Sequence, residues 1–184
     1  MEAFKTILIT GGAGFIGSHV IRKMVNKYPN TQLVNLDAIT YAGNLDNLRD
    51  IQNKTNYTFI KCDICDVSMV KKVFIDHNVD SVIHLAAESH VDRSIEDPFS
   101  FAQTNVMGTL SLLQAAKGHW NGNFTDKLFY HVSTDEVYGS INSGSWTESD
   151  ILEPNSPYAA SKAAAEMVVR GMGKTHNIDY MITR

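Results

Sequence analysis

The chain has 184 residues, which is enough for one domain with a complete hydrophobic core. Hydrophobic residues make up 43% and charged residues 20%, as in an ordinary globular protein. The net charge of −4 argues against nucleic acid or an anionic membrane surface as a partner. No apolar run approaches the roughly 20 residues that span a bilayer, and the first apolar segment breaks at Gly11 without a signal-peptide pattern. The sequence therefore predicts a cytoplasmic protein.

Segments with strand-like and helix-like patterns alternate along the chain. Strands are predicted at Ile7–Thr10, Leu33–Leu36, Thr58–Lys61, Ser81–Leu85, Leu128–Ser133 and Tyr180–Thr183. Helices are predicted at Phe15–Lys27, Leu45–Ile51, Val67–His77, Phe99–Lys117 and Tyr158–Thr175. This alternation is typical of an α/β fold with a doubly wound parallel sheet and helices on both faces. Because ligands of such sheets bind at the carboxyl ends of the strands, residues at those ends are the candidates for function.

A glycine-rich turn joins the first predicted strand to the first predicted helix. Gly11, Gly14 and Gly17 give a G-x-x-G-x-x-G spacing, which is a variant of the dinucleotide-binding fingerprint. The first glycine permits a tight turn, the second lets backbone N–H groups approach a pyrophosphate, and the third lets the helix pack closely on the strand. A purely structural turn is the alternative. The strand–turn–helix context favours a nucleotide site in a Rossmann-like fold.

The next strand ends supply candidate contacts for the rest of a dinucleotide. Asp37 ends the second strand about 20 residues after the glycine turn, where an acid can bind both ribose hydroxyls and repel a 2′-phosphate. Asp37 therefore favours NAD over NADP. The alternative interpretation is that Asp37 only caps a turn. Asp63 and Ile64 follow the third strand and could bracket an adenine. Leu85–Ala87 follow the fourth strand with small residues, which suit close passage of a cofactor.

Two further clusters could suggest metal or redox chemistry. Cys62 and Cys65 form a C-x-x-C motif, but two cysteines cannot complete a tetrahedral zinc site, and small residues at a strand end are the favoured interpretation. His84, His90 and Asp92 lie close in sequence without the spacing of a metal site. The sequence therefore predicts no metal.

A tyrosine and a lysine lie four residues apart near the start of the last predicted helix. The spacing places Tyr158 and Lys162 on one helix face, and Ser156 and Pro157 fit the N-cap and first turn. A free tyrosine has a pKa of about 10 and is a poor base at neutral pH. A neighbouring ammonium group favours the phenolate, and the positive charge of nicotinamide would favour it further. We therefore interpret the pair as a catalytic base and its partner rather than as a surface helical pair.

An acidic motif follows the fifth predicted strand. Asp135 and Glu136 come after Ser133 and Thr134 at the end of an apolar strand. Surroundings can drive two adjacent carboxyl groups to different pKa values, so that one acts as an acid and the other as a base. A solvated acidic loop is the alternative. The position at the ligand-binding edge favours a catalytic role.

These motifs together resemble the extended short-chain dehydrogenase/reductase superfamily and, more narrowly, the dTDP-glucose 4,6-dehydratases. The resemblance covers essentially the whole chain. The glycine turn and the Tyr158/Lys162 pair are shared across the superfamily. The narrower match is carried by the segments 37–45 (DAITYAGNL), 87–94 (AESHVDRS) and 133–139 (STDEVYG).

The resemblance implies a set of cofactor contacts with NAD. Backbone at Phe15 and Ile16 would contact the pyrophosphate. Three residues, Asp37, Ile39 and Thr40, would line the adenosine ribose, with Asp63 and Ile64 at the adenine. The nicotinamide half would run along Leu85, Ala86, Ala87 and Ser89, with Thr104 and Lys162 also near NAD.

The resemblance also implies catalytic roles. Ser89 and Thr134 would bind the sugar, and Tyr158 would take the proton of the C4 hydroxyl as hydride leaves C4 for NAD. Glu136 would remove the C5 proton and Asp135 would protonate the departing C6 hydroxyl. Hydride return to C6 would give a 4-keto-6-deoxy sugar of a deoxysugar pathway. An NAD-dependent sugar-nucleotide 4-epimerase, which would not need the acidic pair, and a non-catalytic NAD-binding module are the alternatives.

The resemblance leads to two expectations about the rest of the molecule. Family members are considerably longer, so we expect residues 1–184 to form an NAD-binding domain of a fragment that lacks most substrate-binding contacts. We also expect a homodimer through the helices Phe99–Lys117 and Tyr158–Thr175. The apolar stripes predicted for that contact are Leu110, Leu112 and Leu113 on the first helix and Met167, Val168 and Met172 on the second.

Overall fold

A computed structural model describes residues 4–184 and confirms the predicted doubly wound α/β fold. All neighbouring strands are parallel, in the order β3-β2-β1-β4-β5-β6. The strands are β1 (Thr6–Thr10), β2 (Gln32–Asp37), β3 (Tyr57–Lys61), β4 (Ser81–His84), β5 (Leu128–Val132) and β6 (Tyr180–Thr183). The helices are α1 (Phe15–Lys27), α2 (Val67–His77), α3 (Val91–Glu96), α4 (Pro98–Phe101), α5 (Thr109–Trp120) and α6 (Pro157–His176).

The sheet separates two hydrophobic cores because successive side chains of a strand point to opposite faces. Ile7 and Ile9 of β1 face a cluster that includes α1, whereas Leu8 faces a larger cluster that includes α2 and α5. All three side chains are buried. Burial on both faces explains why these strands are continuous apolar runs rather than alternating ones.

The strand order places a binding crevice next to β1. The chain runs outward from β1 through β2 to β3 and then crosses back to β4 on the other side of β1. Strand order therefore reverses between β1 and β4, and a doubly wound sheet opens a crevice at that point, beyond the carboxyl ends of its strands.

Two predicted helices differ from the structure. The predicted helix Leu45–Ile51 is only a short 3-10 helix, Leu45–Leu48, which begins where the Asn44 side chain accepts a hydrogen bond from the Asp46 N–H. The predicted helix Phe99–Lys117 begins at Pro98 and contains a π-helical stretch, Ala102–Gly108, between α4 and α5. Sequence periodicity did not indicate this stretch.

The apolar stripe predicted for dimerisation is partly wrong. Leu112 and Leu113 are completely buried within this chain, where α5 packs against α2 and the sheet, so they cannot contact a second subunit. The large apolar side chains that do reach the surface of these helices are Phe99, Met107 and Met167. Across residues 4–184, each helix is too short or too polar to cross a bilayer.

Candidate active site

A cleft of about 470 Å³ opens at the carboxyl ends of the strands, where the strand order reverses. Its walls bring together the glycine turn, the ends of β2, β3 and β4, the π-helical stretch and the start of α6. Residues of the predicted cofactor set that line it are Gly11, Gly14, Phe15, Ile16, Gly17, Asp37, Thr40, Asp63, Ile64, Leu85, Ala86, Ala87, Ser89, Thr104, Tyr158 and Lys162. The structure therefore gathers into one cleft residues that lie up to 151 positions apart in sequence, from Gly11 to Lys162.

Ile39 is the exception in that set. Its backbone is left-handed, with φ of 54°, and its side chain packs against the core beside α1 rather than lining the cleft. The turn forms because the Ile39 N–H donates to Oδ1 of Asp37 at 2.8 Å. The sequence could not show this, because a β-branched residue rarely adopts a positive φ.

The glycine turn has the tight geometry that its spacing predicts. Gly11 has a φ of +72°, and a methyl group added there would lie 2.7 Å from the Ala86 nitrogen. A methyl group on Gly17 would lie 2.8 Å from the carbonyl carbon of Gly11. Gly14 precedes the first turn of α1, so no side chain caps that helix end. The free N–H groups of the first turn border the cleft, where they can donate hydrogen bonds to an anion.

Asp37 holds this turn as well as lining the cleft. Its Oδ2 accepts the Ala13 N–H at 2.9 Å, and the side chain is buried. Because the same carboxylate also accepts the Ile39 N–H, it fixes both the glycine turn and the loop that follows β2. Each carboxylate oxygen keeps a further lone pair for a ligand hydroxyl, so the capping role and the predicted ribose role are compatible.

Two loops meet across the mouth of the cleft. The Tyr41 hydroxyl donates to Oε2 of Glu88 at 3.2 Å, and the Arg93 guanidinium lies 3.9 Å from the centre of the Tyr41 ring. The loop after β2 and the loop after β4 are thereby joined over the cofactor side.

A chain of buried hydrogen bonds runs beneath the cleft. The Thr10 hydroxyl accepts the N–H groups of Leu85 and Ala86, so its own proton points to Nδ1 of His84 at 2.7 Å. His84 Nε2–H then donates to Thr109, whose hydroxyl donates to the Asn105 carbonyl at 2.6 Å. The geometry thus assigns His84 as neutral, and burial accordingly lowers the pKa of His84 to about 3.

Asn105 connects this network to α6. Its side-chain amide accepts the Glu88 N–H at 2.8 Å and donates to the Glu88 carbonyl at 2.9 Å. It also donates to Ser161 Oγ at 2.8 Å, and that hydroxyl donates to the Tyr158 carbonyl at 2.7 Å. Sequence reasoning missed Asn105 and Ser161. The available signal was weak, because Asn105 follows two other polar residues, Gln103 and Thr104, in the same predicted helix.

Tyr158 and Lys162 lie together at the start of α6, where Ser156 Oγ accepts the Ala159 N–H at 3.0 Å as predicted for the N-cap. Lys162 is 4% exposed, and its ammonium donates to the Val132 carbonyl at 2.8 Å. Burial lowers the pKa of Lys162 to about 8.

In the chain alone, the surroundings of the Tyr158 phenol disfavour the phenolate, and its role as a catalytic base stays a prediction. Burial raises the pKa of Tyr158 above its ordinary value, and the nearby carboxylates of Glu136 and Asp135 raise it further, while a hydrogen bond with Thr134 lowers it. Desolvation therefore outweighs stabilisation of the phenolate within the chain itself, because a buried anion loses its hydration.

The acidic motif forms a short 3-10 helix, Asp135–Tyr138, at the end of β5. Thr134 caps it, with its hydroxyl accepting the Glu136 N–H at 3.2 Å. Asp135 and Glu136 are exposed, and neither they nor Thr134 line the cleft, whereas Ser133 does. The charges of both carboxylates raise the pKa of Tyr158, but protein does not enclose them.

The cysteines and histidines show no sign of the alternative chemistry. Cys62 and Cys65 are free thiols, and burial raises the pKa of each to about 11, so both stay protonated at neutral pH. Both ring nitrogens of His84 bind threonine hydroxyls. Within residues 4–184, no three His, Cys, Asp or Glu side chains come together as a metal site.

The sequence profile of the GDP-mannose 4,6 dehydratase family matches residues 8–184 of this chain. The chain belongs to that family. One curated relative, the dTDP-glucose 4,6-dehydratase of Shigella flexneri, is 45% identical to this chain over 96% of its residues. The dTDP-glucose 4,6-dehydratase of Streptomyces niveus is 47% identical over 97% of it. The chain spans about half the length of these relatives, 53% and 52% respectively.

Solved structures show the same similarity in three dimensions. The dTDP-glucose 4,6-dehydratase from Streptomyces venezuelae, solved with NAD bound, superposes with a TM-score of 0.88 at 48% identity. The UDP-glucose 4-epimerase of Thermotoga maritima, solved with UDP-glucose, superposes with a TM-score of 0.85 at 31% identity. Each match covers 97% of this chain and little more than half of the other, 55% and 54%. The same fold therefore occurs both in a dehydratase and in an epimerase.

Proposed function

We propose that residues 1–184 form the NAD-binding and catalytic part of a dTDP-glucose 4,6-dehydratase, a hydro-lyase. The observation that carries this proposal is the position of Tyr158 and Lys162 in the same cleft as the glycine turn, with Asp135 and Glu136 on the 3-10 helix that follows β5 and packs against α6. The first two groups fit oxidation of a sugar hydroxyl. The two carboxylates add the acid and base that elimination of water requires.

We propose a place in the cleft for each part of NAD. The first turn of α1 would bind the pyrophosphate, Asp37 the adenosine ribose, and Asp63 and Ile64 the adenine. Lys162 would hold the nicotinamide ribose. NAD, when bound, accepts a hydride from C4 of the sugar and returns one to C6, and its nicotinamide supplies positive charge beside Tyr158.

The residues around Tyr158 set up the proton transfer at C4. The phenol is buried and its pKa is raised, so a cation in the cleft is needed to favour the phenolate. Thr134 would bind the sugar from the end of β5, and Ser89, which lines the cleft, would bind it from the loop after β4. Tyr158 then accepts the proton of the C4 hydroxyl.

The acidic pair would act on the neighbouring carbons. Once C4 is a ketone, the C5 proton would be acidic and Glu136 would remove it, while Asp135 would protonate the C6 hydroxyl as it leaves as water. Glu136 would return its proton to C5 when hydride is added to C6. Both lie on one turn of 3-10 helix, which keeps them adjacent.

The mass of the product distinguishes this function from that of an epimerase, whose scaffold this chain shares at a TM-score of 0.85. The protein from the complete reading frame should convert dTDP-glucose into a product lighter by one water. An epimerase would give a product of unchanged mass. A product of unchanged mass would overturn the dehydratase assignment and leave the NAD site intact.

Assembly of the chain is a separate part of the proposal. We propose a homodimer in which the exposed Phe99, Met107 and Met167 contribute to the contact, and a cytoplasmic location remains a prediction. Because this surface lies within residues 1–184, the chain should be dimeric yet inactive on sugar nucleotides, whereas a longer protein should be dimeric and active. Light scattering that shows a monomer would contradict the first part. Turnover of dTDP-glucose by the short chain would contradict the second.

A further inference from the structure

A buried ion pair lies behind the catalytic lysine. Glu166 of α6 is 0% exposed, and the Arg184 guanidinium grips its carboxylate through three hydrogen bonds of 3.0, 3.1 and 2.7 Å. Arg184 also donates to the Tyr138 hydroxyl and lies 4.9 Å from the centre of that ring. A buried carboxylate is costly unless it is paired and hydrogen-bonded, so this pair is a built feature of the fold.

Glu166 lies one helical turn beyond Lys162, so the two side chains are neighbours on the same face of α6. Lys162 itself is buried, with its ammonium held by the Val132 carbonyl. The charge of Lys162 acts on His84 of β4 and His131 of β5, and Tyr158 and Glu166 lie on its own helix.

The surroundings of Lys162 otherwise oppose its charge. Burial disfavours the ammonium, and neither histidine compensates, because burial and the Lys162 charge lower the pKa of both His84 and His131 and keep the rings neutral. Glu166 is the group whose charge raises the pKa of Lys162 again.

We propose that Glu166 is a positioning residue that keeps Lys162 protonated within the cofactor cleft, and that Arg184 moderates this effect by neutralising part of the carboxylate charge. This inference rests on the proposed NAD-dependent function. Neither Glu166 nor Arg184 lines the cleft, so both act on the reaction through Lys162.

Arg184 gives the pair a second consequence. Its contact with Tyr138 joins α6, which carries Tyr158 and Lys162, to the 3-10 helix that carries Asp135 and Glu136. The same ion pair therefore sets the charge of the lysine and ties the two catalytic elements to one another.

Titration of Lys162 tests this inference directly. The 13Cε resonance of Lys162 can be followed in lysine-labelled protein and assigned by its absence in Lys162→Met.

Glu166→Gln removes the acid and leaves Arg184 nearby, so the titration midpoint of Lys162 should fall by about one pH unit or more. Glu166→Gln/Arg184→Gln removes both charges, so its midpoint should lie between those of the variant and the wild type. Arg170→Gln removes an exposed cation 3.9 Å from the same carboxylate and is the matched control, with an unchanged midpoint expected.

The order of the midpoints separates a charge effect from a folding effect. A folded Glu166→Gln protein with the wild-type midpoint would overturn the proposal. If that variant does not fold, the double variant remains informative, because an unaltered midpoint there would also overturn it. In the longer protein, the alkaline limb of NAD reduction by dTDP-glucose should move to lower pH in Glu166→Gln. Since the titration needs no ligand, failure of NAD to bind would reject the proposed function without affecting this test.

Discussion

The cofactor side and the sugar side of the cleft differ in how firmly the chain holds their functional groups. On the cofactor side, Asp37 is buried and fixed by two backbone N–H groups, and Asn105 clamps the loop after β4. On the sugar side, Asp135 and Glu136 are exposed on a single turn of 3-10 helix. The cofactor site is thus preorganised within these residues, whereas solvent forms the environment of the acidic pair. Four predictions would break or sharpen this contrast.

The largest effect is expected on the sugar side. In the complete protein, Glu136→Gln should lower product formation by about 10²- to 10⁴-fold, the usual cost of losing one general acid or base. Transient reduction of NAD by substrate, measured by absorbance, should persist because Glu136 acts after oxidation. Tyr158→Phe should instead suppress the reduction step.

The matched control for Glu136→Gln is Glu96→Gln, which neutralises an exposed carboxylate at the end of α3 and should leave the rate unchanged. Equal loss of reduction in Glu136→Gln and Tyr158→Phe would show that oxidation and elimination are not divided between these residues.

On the cofactor side, Gly17→Ala should weaken NAD binding by roughly tenfold or more. The added methyl group would lie 2.8 Å from the Gly11 carbonyl carbon and would push α1 away from the turn that forms the anion site. Gly118→Ala is the control, because a methyl group there meets no atom within 4 Å. Titration with NAD by fluorescence or calorimetry measures both. Wild-type affinity in Gly17→Ala would contradict the placement of the pyrophosphate.

Asp37→Ala should narrow the preference for NAD over NADP by about tenfold, since the carboxylate would meet a 2′-phosphate with like charge. Because Asp37 also caps the glycine turn, the affinity for NAD itself should fall. The ratio of the two dissociation constants is therefore the informative quantity. Equal affinity for both cofactors in the unmutated chain would exclude the ribose role of Asp37.

The smallest effect concerns the two buried histidines below the cleft, whose pKa values are lowered in the folded chain. Below pH about 6.5 the unfolded chain takes up protons that the folded chain excludes, so stability falls as the pH falls. Between pH 7 and 5.5 each histidine should cost about 1.2 kcal/mol of unfolding free energy, measured by urea denaturation.

His131→Leu should reduce the pH dependence of the unfolding free energy by the contribution of one histidine. Its two ring nitrogens are buried without hydrogen-bond partners, so an apolar residue of similar size should also maintain or increase stability at pH 7. His90→Gln, at an exposed position, should leave the pH dependence as it is. A steep loss of stability at pH 7 in His131→Leu would show that the ring has a partner within the fold.

Local sequence patterns determined the parallel sheet, the glycine turn, the N-cap of α6 and the pairing of Tyr158 with Lys162. These features depend on residues close in sequence, where a period of 2 or 3.6 residues, a glycine or a cap has the same physical meaning in any fold. The strand-end rule then placed Asp37, Asp63 and Leu85 at one cleft, because parallel strands end at a common edge.

Only the tertiary structure decided the features that depend on distant partners. The π-helical stretch carries Asn105, which binds Glu88 and Ser161 across the cleft floor. Leu112 and Leu113 are core residues because α2 covers them. The Ile39 side chain packs against the core, in a turn where the Ile39 N–H donates to Asp37. Burial likewise raises the pKa of Tyr158, although Lys162 follows it four residues later on the same helix face. Desolvation and buried hydrogen bonds depend on the neighbours that folding assembles, so sequence spacing alone does not contain them.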